Sequence, residues 1–277
     1  IAPPGSDGLY TFVQVRPGGV FAMANVHLPS DPYGPEAIRD GETAEDVLQL
    51  EAETRLPVLQ AVLDRLPELQ DAGIPVVMTG DFNTPSSLDW TSATANAREQ
   101  VAYPLIWPVS EAAFAAGLQD TFRTVYPDPV ERPGLTWTPG YPYPTLRPDE
   151  TLDRIDWVLA SESITVLDSQ VVGESDNPDV DIAIMPYPSD HRGVVSTLEM
   201  TPAAPPVLIA VDTRRVTQGD PFTVRFHAPG EDGELIGIVP AGADVAEAIM
   251  SLPPRESFVD GSETFGAATL ASGDYDA

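Results

Sequence analysis

The sequence predicts an α/β domain followed by a small all-β domain, and three observations carry that expectation. Short apolar, β-prone runs alternate with a stretch of helical periodicity before Met200, the pattern of an α/β unit. Thr201-Pro202-Ala203-Ala204-Pro205-Pro206 is dense in Pro, hence stiff and extended, and reads as an interdomain linker. Beyond it, short strand-like runs are separated by Gly, Asp and Pro turns with no comparable helical period, as in a β-sandwich. The expected boundaries are a catalytic-type domain over 1–200, a linker over 201–206 and an accessory β-sandwich over 207–277.

Element by element, Thr11 to Val15 and Val20 to Val26 are apolar and β-prone, and Arg16-Pro17-Gly18-Gly19 between them supplies turn chemistry, so a hairpin is expected. Its second strand runs straight into His27. Ser30 to Gly41 reads as a Pro/Gly-rich loop. Thr43-Ala44-Glu45-Asp46 then opens a capped helix with acids at the positive end of the dipole. Val47, Leu48, Leu56, Leu59, Val62, Leu63 and Leu66 recur at spacings of three and four, one buried stripe that Pro57 should kink or split. Ile74 to Met78 is wholly apolar and bounded by Gly73 and Gly80, as for a strand buried on both faces; Asp81 and Asn83 follow its exit. From Thr84 to Glu150 only a short helix near Glu111 to Ala116 can be placed, and long loops there suit a substrate rim; of Trp90, Trp107, Trp137, Tyr141 and Tyr143, most are expected as core or rim packing and a minority to stack on a base or face a lipid. Strands are expected at Arg154 to Ala160, Ile164 to Val172 and Gly193 to Met200, then in the second domain at Val207 to Asp212, Phe222 to Phe226, Leu235 to Val239 and Glu263 to Leu270.

Of 277 residues 43 are Asp or Glu and 14 are Arg, with no Lys, giving a formal charge of −29. Such a chain lacks the lysine-rich field behind most non-specific affinity for DNA or anionic lipid, so passive polyanion binding is excluded and any phosphate site has to be local and metal-assisted. With 42% apolar residues a real core is expected. The absence of Cys excludes disulfides, thiolate zinc and thiol nucleophiles. No stretch reaches the roughly 18 apolar residues of a membrane span, and no signal peptide is recognisable. The chain opens on Ile1, so a processed or truncated amino end is expected.

Polar residues stand where apolar strands end: His27, Asp81 with Asn83, Asp156, and the pair Asp190-His191. Strand ends are where α/β sheets place ligands. Together these residues provide what hydrolysis of a phosphate ester needs: an imidazole able to take a proton from water near neutral pH, a carboxylate to orient it, further carboxylates for a hard cation, and an amide donor for a phosphoryl oxygen.

Asn25-Val26-His27-Leu28, Thr79-Gly80-Asp81-Phe82-Asn83, Arg154-Ile155-Asp156-Trp157-Val158-Leu159 and Ser189-Asp190-His191-Arg192-Gly193-Val194 resemble, in order, motifs of the endonuclease/exonuclease/phosphatase superfamily, which includes DNase I-like nucleases, neutral sphingomyelinases and inositol polyphosphate 5-phosphatases. The resemblance implies a four-layer α/β sandwich of two packed sheets flanked by helices. It also implies roles. His191 matches the general base and Asp156 its orienting carboxylate; Asp81 positions the attacking water or a metal; Asn83 holds a phosphoryl oxygen; His27 donates to the phosphate; Asp190 is a metal-site carboxylate. Arg192 either adds charge to the phosphate or makes an outward salt bridge. Asp153 competes with Asp156 for the orienting role, but Asp156 is preferred because Asp153, three residues earlier, should point to the opposite face of a continuous strand.

The family's principal metal ligand, a Glu, normally lies well before the Asn-His-Leu motif. No Glu precedes His27 here, and Asp7 lacks strand context, so that ligand is expected upstream of this chain and the fold is expected to lack amino-terminal strands. Alone, the chain should then be poorly active. The expectation is a Mg²⁺-dependent hydrolase (or one using Mn²⁺ or Ca²⁺) of a small or lipid-linked phosphate ester, monomeric and extracellular or cell-surface. An extracellular DNase/RNase-type endonuclease is the alternative, disfavoured by charge, and a non-catalytic binding or scaffold protein is another. Asp274-Tyr275-Asp276 reads as the lead-in to a further strand.

Overall fold

In the computed structural model, the described residues are all except 1–9, 17, 176, 205–207, 212, 214, 228–235, 253–259, 268–269 and 277. Part of the expected linker, and Asp7, lie outside them. β1 (Thr11–Arg16) and β2 (Gly19–His27) form where the apolar runs predict them, with Gly18 in the left-handed region at φ 67°. Along β2 the side chains of Val20, Ala22, Ala24 and Val26 are buried while the residues between them are less so, and His27 falls on the exposed side.

The segment read as a loop contains a helix, α1 (Gly34–Arg39). Pro35 stands in its first turn, where a missing N–H costs nothing and a fixed φ helps, so proline marks a helix start here rather than a coil. The same chemistry reshapes the long periodic stretch into α2 (Ala44–Thr54), α3 (Leu56–Leu63) and α4 (Leu66–Asp71), with Pro57 and Pro67 each opening a new helix. Thr43 caps α2 as expected, accepting from the Asp46 backbone N–H at 3.2 Å.

β3 (Val76–Asp81) follows, then α5 (Ser92–Ala97), α6 (Pro108–Ala115), β4 (Leu118–Asp120), α7 (Thr121–Val125), β5 (Asp156–Ser161), β6 (Thr165–Gly173), β7 (Ile182–Ala183) and β8 (Gly193–Glu199). The strand order of the main sheet is β1-β2-β3-β5-β4, and a second sheet has the order β7-β6-β8. β2 runs parallel to β3, and β3 antiparallel to β5. This mixed α/β architecture is the DNase I-like class that the motifs imply.

Packing explains the middle segment. Trp90 and Trp107, both buried, meet edge-on at 5.0 Å among Ile38, Val47, Val101 and Leu105. These two tryptophans are core. Two buried arginines lie nearby in the chain: Arg154 Nη2 reaches Asp120 Oδ2 at 2.6 Å and Asp89 Oδ2 at 2.8 Å, and Arg123 Nε donates to Asp89 Oδ1. Each buried charge therefore has a partner, without which burial would cost several kcal/mol, on the order given for ions taken out of water.

The chain divides into two compact units, one of residues 21–203 and one of residues 204–277 together with 1–20. The later strands are β9 (Leu208–Val211), β10 (Pro221–His227), β11 (Ile236–Pro240), β12 (Met250–Leu252), β13 (Asp260–Gly266) and β14 (Tyr275–Asp276). They make two three-stranded sheets, β13-β10-β9 and β12-β11-β14, around a cluster holding Phe222, Val224, Phe226, Ile236, Ile238 and Phe265. Tyr275–Asp276, read as a lead-in, is itself a strand, paired antiparallel with β11.

Candidate active site

Register builds the site. The β2–β3 pairing sets His27 opposite Asp81, and the β3–β5 pairing sets Asp81 opposite Asp156, so three polar residues stand side by side across three strands at one sheet end. His191, just before β8, completes the group through an isolated bridge to Trp137. Trp137 also bridges Asp153, whose carbonyl oxygen accepts from the Trp137 backbone N–H at 2.9 Å.

Asp81 is held by the residue two places on. Its Oδ1 accepts from the Asn83 backbone N–H at 2.9 Å and its Oδ2 from the Asn83 amide Nδ2 at 3.2 Å. Asn83 adopts φ 49°, a left-handed conformation that Asn tolerates better than most residues. Its Nδ2 also donates to the Leu28 carbonyl at 2.9 Å. Both amide hydrogens are thus engaged, and the side chain ties Asp81 to the residue that follows β2.

His191 Nδ1 lies 2.9 Å from Asp156 Oδ2, and its Nε2 is 3.8 Å from Asp81 Oδ2. With Asp156 ionised, Nδ1 carries the proton and Nε2 is left as the basic atom on the side of Asp81. Burial works against a protonated His191, but the hydrogen bond and charge of Asp156, with the charges of Asp81 and Asp190, outweigh it and hold its pKa above the usual histidine value. Burial first, and then the neighbouring Asp156 charge, push the Asp81 carboxyl upward despite the Asn83 hydrogen bond. His27 Nε2 sits 3.6 Å from Asp81 Oδ2 on a side chain 76% exposed, so it can meet a ligand from the open side.

Other expected residues fall differently. The Asp190 backbone carbonyl accepts from Thr138 Oγ1 at 2.5 Å, and its side chain does not join the grouped Asp81, Asp156 and His191. Arg192 is buried: Nε and Nη2 donate to Glu174 at 2.8 and 2.6 Å, and Nη1 donates to the Leu135 carbonyl at 2.8 Å. A guanidinium so committed neither contacts a phosphate nor makes the outward salt bridge expected of it. Asp153 is buried among Trp90 Nε1 and Tyr33 OH, each donating to it at 3.0 Å, which leaves Asp156 as the partner of His191. The sequence does not single out Trp137, whose ring lies 4.8 Å from that of His191.

Asp81, Asp156 and His191 each offer one ligand atom within 4.8 Å of the others. Two neighbouring carboxylates suit a hard divalent cation, which relieves their mutual repulsion and prefers oxygen donors.

Residues 7–191 match the Endonuclease/Exonuclease/phosphatase family. The chain belongs to this family. Its members hydrolyse phosphoesters. The endonuclease/exonuclease/phosphatase match covers the four motifs, the last of them up to His191. Uncharacterized protein F14F9.5 of Caenorhabditis elegans is 28% identical over 164 residues, which are 53% of this chain and 49% of that protein. The chain therefore spans about half the length of that curated relative. Among solved structures, an endonuclease/exonuclease/phosphatase from Beutenbergia cavernae aligns at 19% identity and TM-score 0.40, covering 95% of this chain and 61% of that one. Danio rerio TDP2, complexed with a single-strand DNA product, aligns at 17% identity and TM-score 0.41, covering 69% and 60%.

Proposed function

We propose that this chain carries the water-activating half of a divalent-metal-dependent hydrolase of small or lipid-linked phosphate esters. The observation that carries the reading is the His191–Asp156 hydrogen bond of 2.9 Å with Nε2 turned toward Asp81. In this reading His191 Nε2 takes a proton from the attacking water, Asp156 fixes the tautomer and stabilises the imidazolium, and His27 donates to the phosphate from the exposed side. Asp81 and Asp156 would hold the ion, which would offset the phosphate's negative charge and leave His191 Nε2 free as the base. An extracellular or cell-surface location belongs to the same proposal and rests on the acidic, Lys-free composition; no described helix is long and apolar enough to cross a membrane.

The substrate class follows from which groups remain free. The arginines on the segments that build the site are all engaged: Arg132 with Asp181, Arg147 with Glu150, Arg154 with Asp120 and Arg192 with Glu174. A long polyanion would find little cationic surface there. Beside Trp137 the surface is aromatic instead, with Tyr141 64% exposed and its ring 6.1 Å from that of Trp137. Contacts of that kind favour an ester carrying an apolar group over a chain of phosphates. With Mg²⁺ added, a benzyl phosphodiester, whose leaving group matches methoxide in basicity, should be hydrolysed at least about tenfold faster in kcat/KM than its methyl counterpart, a step of about 1.4 kcal/mol. Tyr141→Ala should narrow that gap, and EDTA should stop both reactions. Faster cleavage of DNA than of either ester at physiological salt would reverse the substrate assignment.

The pH dependence has a definite sign. The base works only when neutral, so kcat/KM should rise with pH through the elevated His191 pKa and its acidic limb should lie above 6.5, the ordinary histidine value. Asp156→Asn removes the charge and hydrogen bond that raise it, so the limb should move to lower pH while the plateau falls. A pH–rate profile checks this, and an unmoved limb would contradict the pairing.

A further inference from the structure

We propose that Thr136 is the positioning residue for the Asp156–His191 pair, acting through its hydroxyl. The Thr136 side chain is fully buried, and its Oγ1 accepts two backbone N–H bonds, from Ile155 and from Asp156, both at 3.0 Å. These are the N–H groups at the very start of β5, where the strand delivers Asp156. The Thr136 backbone N–H donates to the Asp153 carbonyl at 3.1 Å, while its own carbonyl accepts from the Arg192 N–H at 2.8 Å, one residue past His191. One residue thus binds the segment bearing the carboxylate and the segment bearing the imidazole, which are 35 positions apart in the chain. The next two residues extend the brace: Trp137 packs its ring on His191, and Thr138 Oγ1 donates to the Asp190 carbonyl.

The physical consequence concerns distance. A pair separated by 2.9 Å tolerates little displacement; β5 ladder bonds to β3 begin at Asp156, and the bond before them runs from the Phe82 N–H to the Ile155 carbonyl at 2.8 Å, so the N–H side of the strand start has to be fixed by another group. Thr136 Oγ1 is that group. Removing the hydroxyl leaves two buried donors without an acceptor, and the strand start has to shift to find one. A misplacement approaching 1 Å in such a pair lowers turnover by about a hundredfold.

The proposal rests on His191 and Asp156 acting as base and orienter, and the test separates the two claims. Thr136→Val keeps shape and loses the acceptor; Thr136→Ser keeps the acceptor and loses a methyl. Expected for Val are a kcat lower by about a hundredfold with KM changed little, and loss of the far-downfield proton NMR signal of a carboxylate-bound His191 Nδ1–H. Ser should retain both the signal and most of kcat. The chain has three histidines, which keeps the assignment simple. Should Thr136→Val not fold, Thr136→Ala carries the same two measurements. A Val or Ala variant that keeps the signal and kcat, a Ser variant as impaired as Val, or failure of both Val and Ala to fold would overturn the proposal. A wild-type protein that shows the signal but hydrolyses no ester would instead remove the functional reading and leave the brace standing.

Discussion

His191→Ala should lower kcat by roughly a hundred- to ten-thousandfold, the range general base catalysis supplies, while leaving the fold intact. The asymmetry follows from where the residue sits. Its side chain is 26% exposed at the end of a sheet, so truncation opens toward solvent and creates no enclosed cavity. Its bonds to Asp156 and its packing on Trp137 serve orientation rather than the core. The measurement is steady-state hydrolysis beside thermal unfolding: equal melting with lost turnover is the expected pair of results. Normal turnover would remove the proposed mechanism altogether.

Gly80→Ala should do the reverse, losing the fold before the chemistry can be assayed. Gly80 has φ 149°, and a Cβ there would lie 1.9 Å from the Val26 carbonyl oxygen and 2.8 Å from its carbonyl carbon. Both obstacles are backbone of the neighbouring strand, so no rotamer change relieves them. Adding a Gly-only conformation to a forced separation of β2 from β3 gives a cost of about 3–5 kcal/mol, a large share of a domain's stability. Thermal unfolding checks it, and a melting temperature within about 2 °C of wild type would contradict the prediction, since each kcal/mol moves a domain of this size by about that much.

Much of the arrangement was legible because strands and catalytic motifs are local. The preference for Asp156 over Asp153 comes from strand alternation; Asp153 lies before β5 rather than on its other face, and Asp156 is the carboxylate that meets His191. Helix starts were harder. Pro35 and Pro57 look like interruptions in a sequence, and only the surrounding fold makes each a first turn. Partners distant in the chain were not readable at all. Nothing near Arg192 announces that Glu174 and the Leu135 carbonyl will absorb its guanidinium, or that Leu28 will claim the Asn83 amide. Trp137 could not be singled out for a related reason: its place on His191 is set by bridges to two segments that pattern alone does not bring together.

The alignment of His27, Asp81 and Asp156 has an evolutionary corollary. Because each sits at a matched rung of adjoining strands, the connections between those strands can lengthen or shorten without disturbing the chemistry, whereas one residue inserted inside β3 would turn Asp81 to the sheet's other face. Sequence drift should therefore concentrate in the long excursion between β3 and β5, whose exposed tyrosines are free to be exchanged as substrates change.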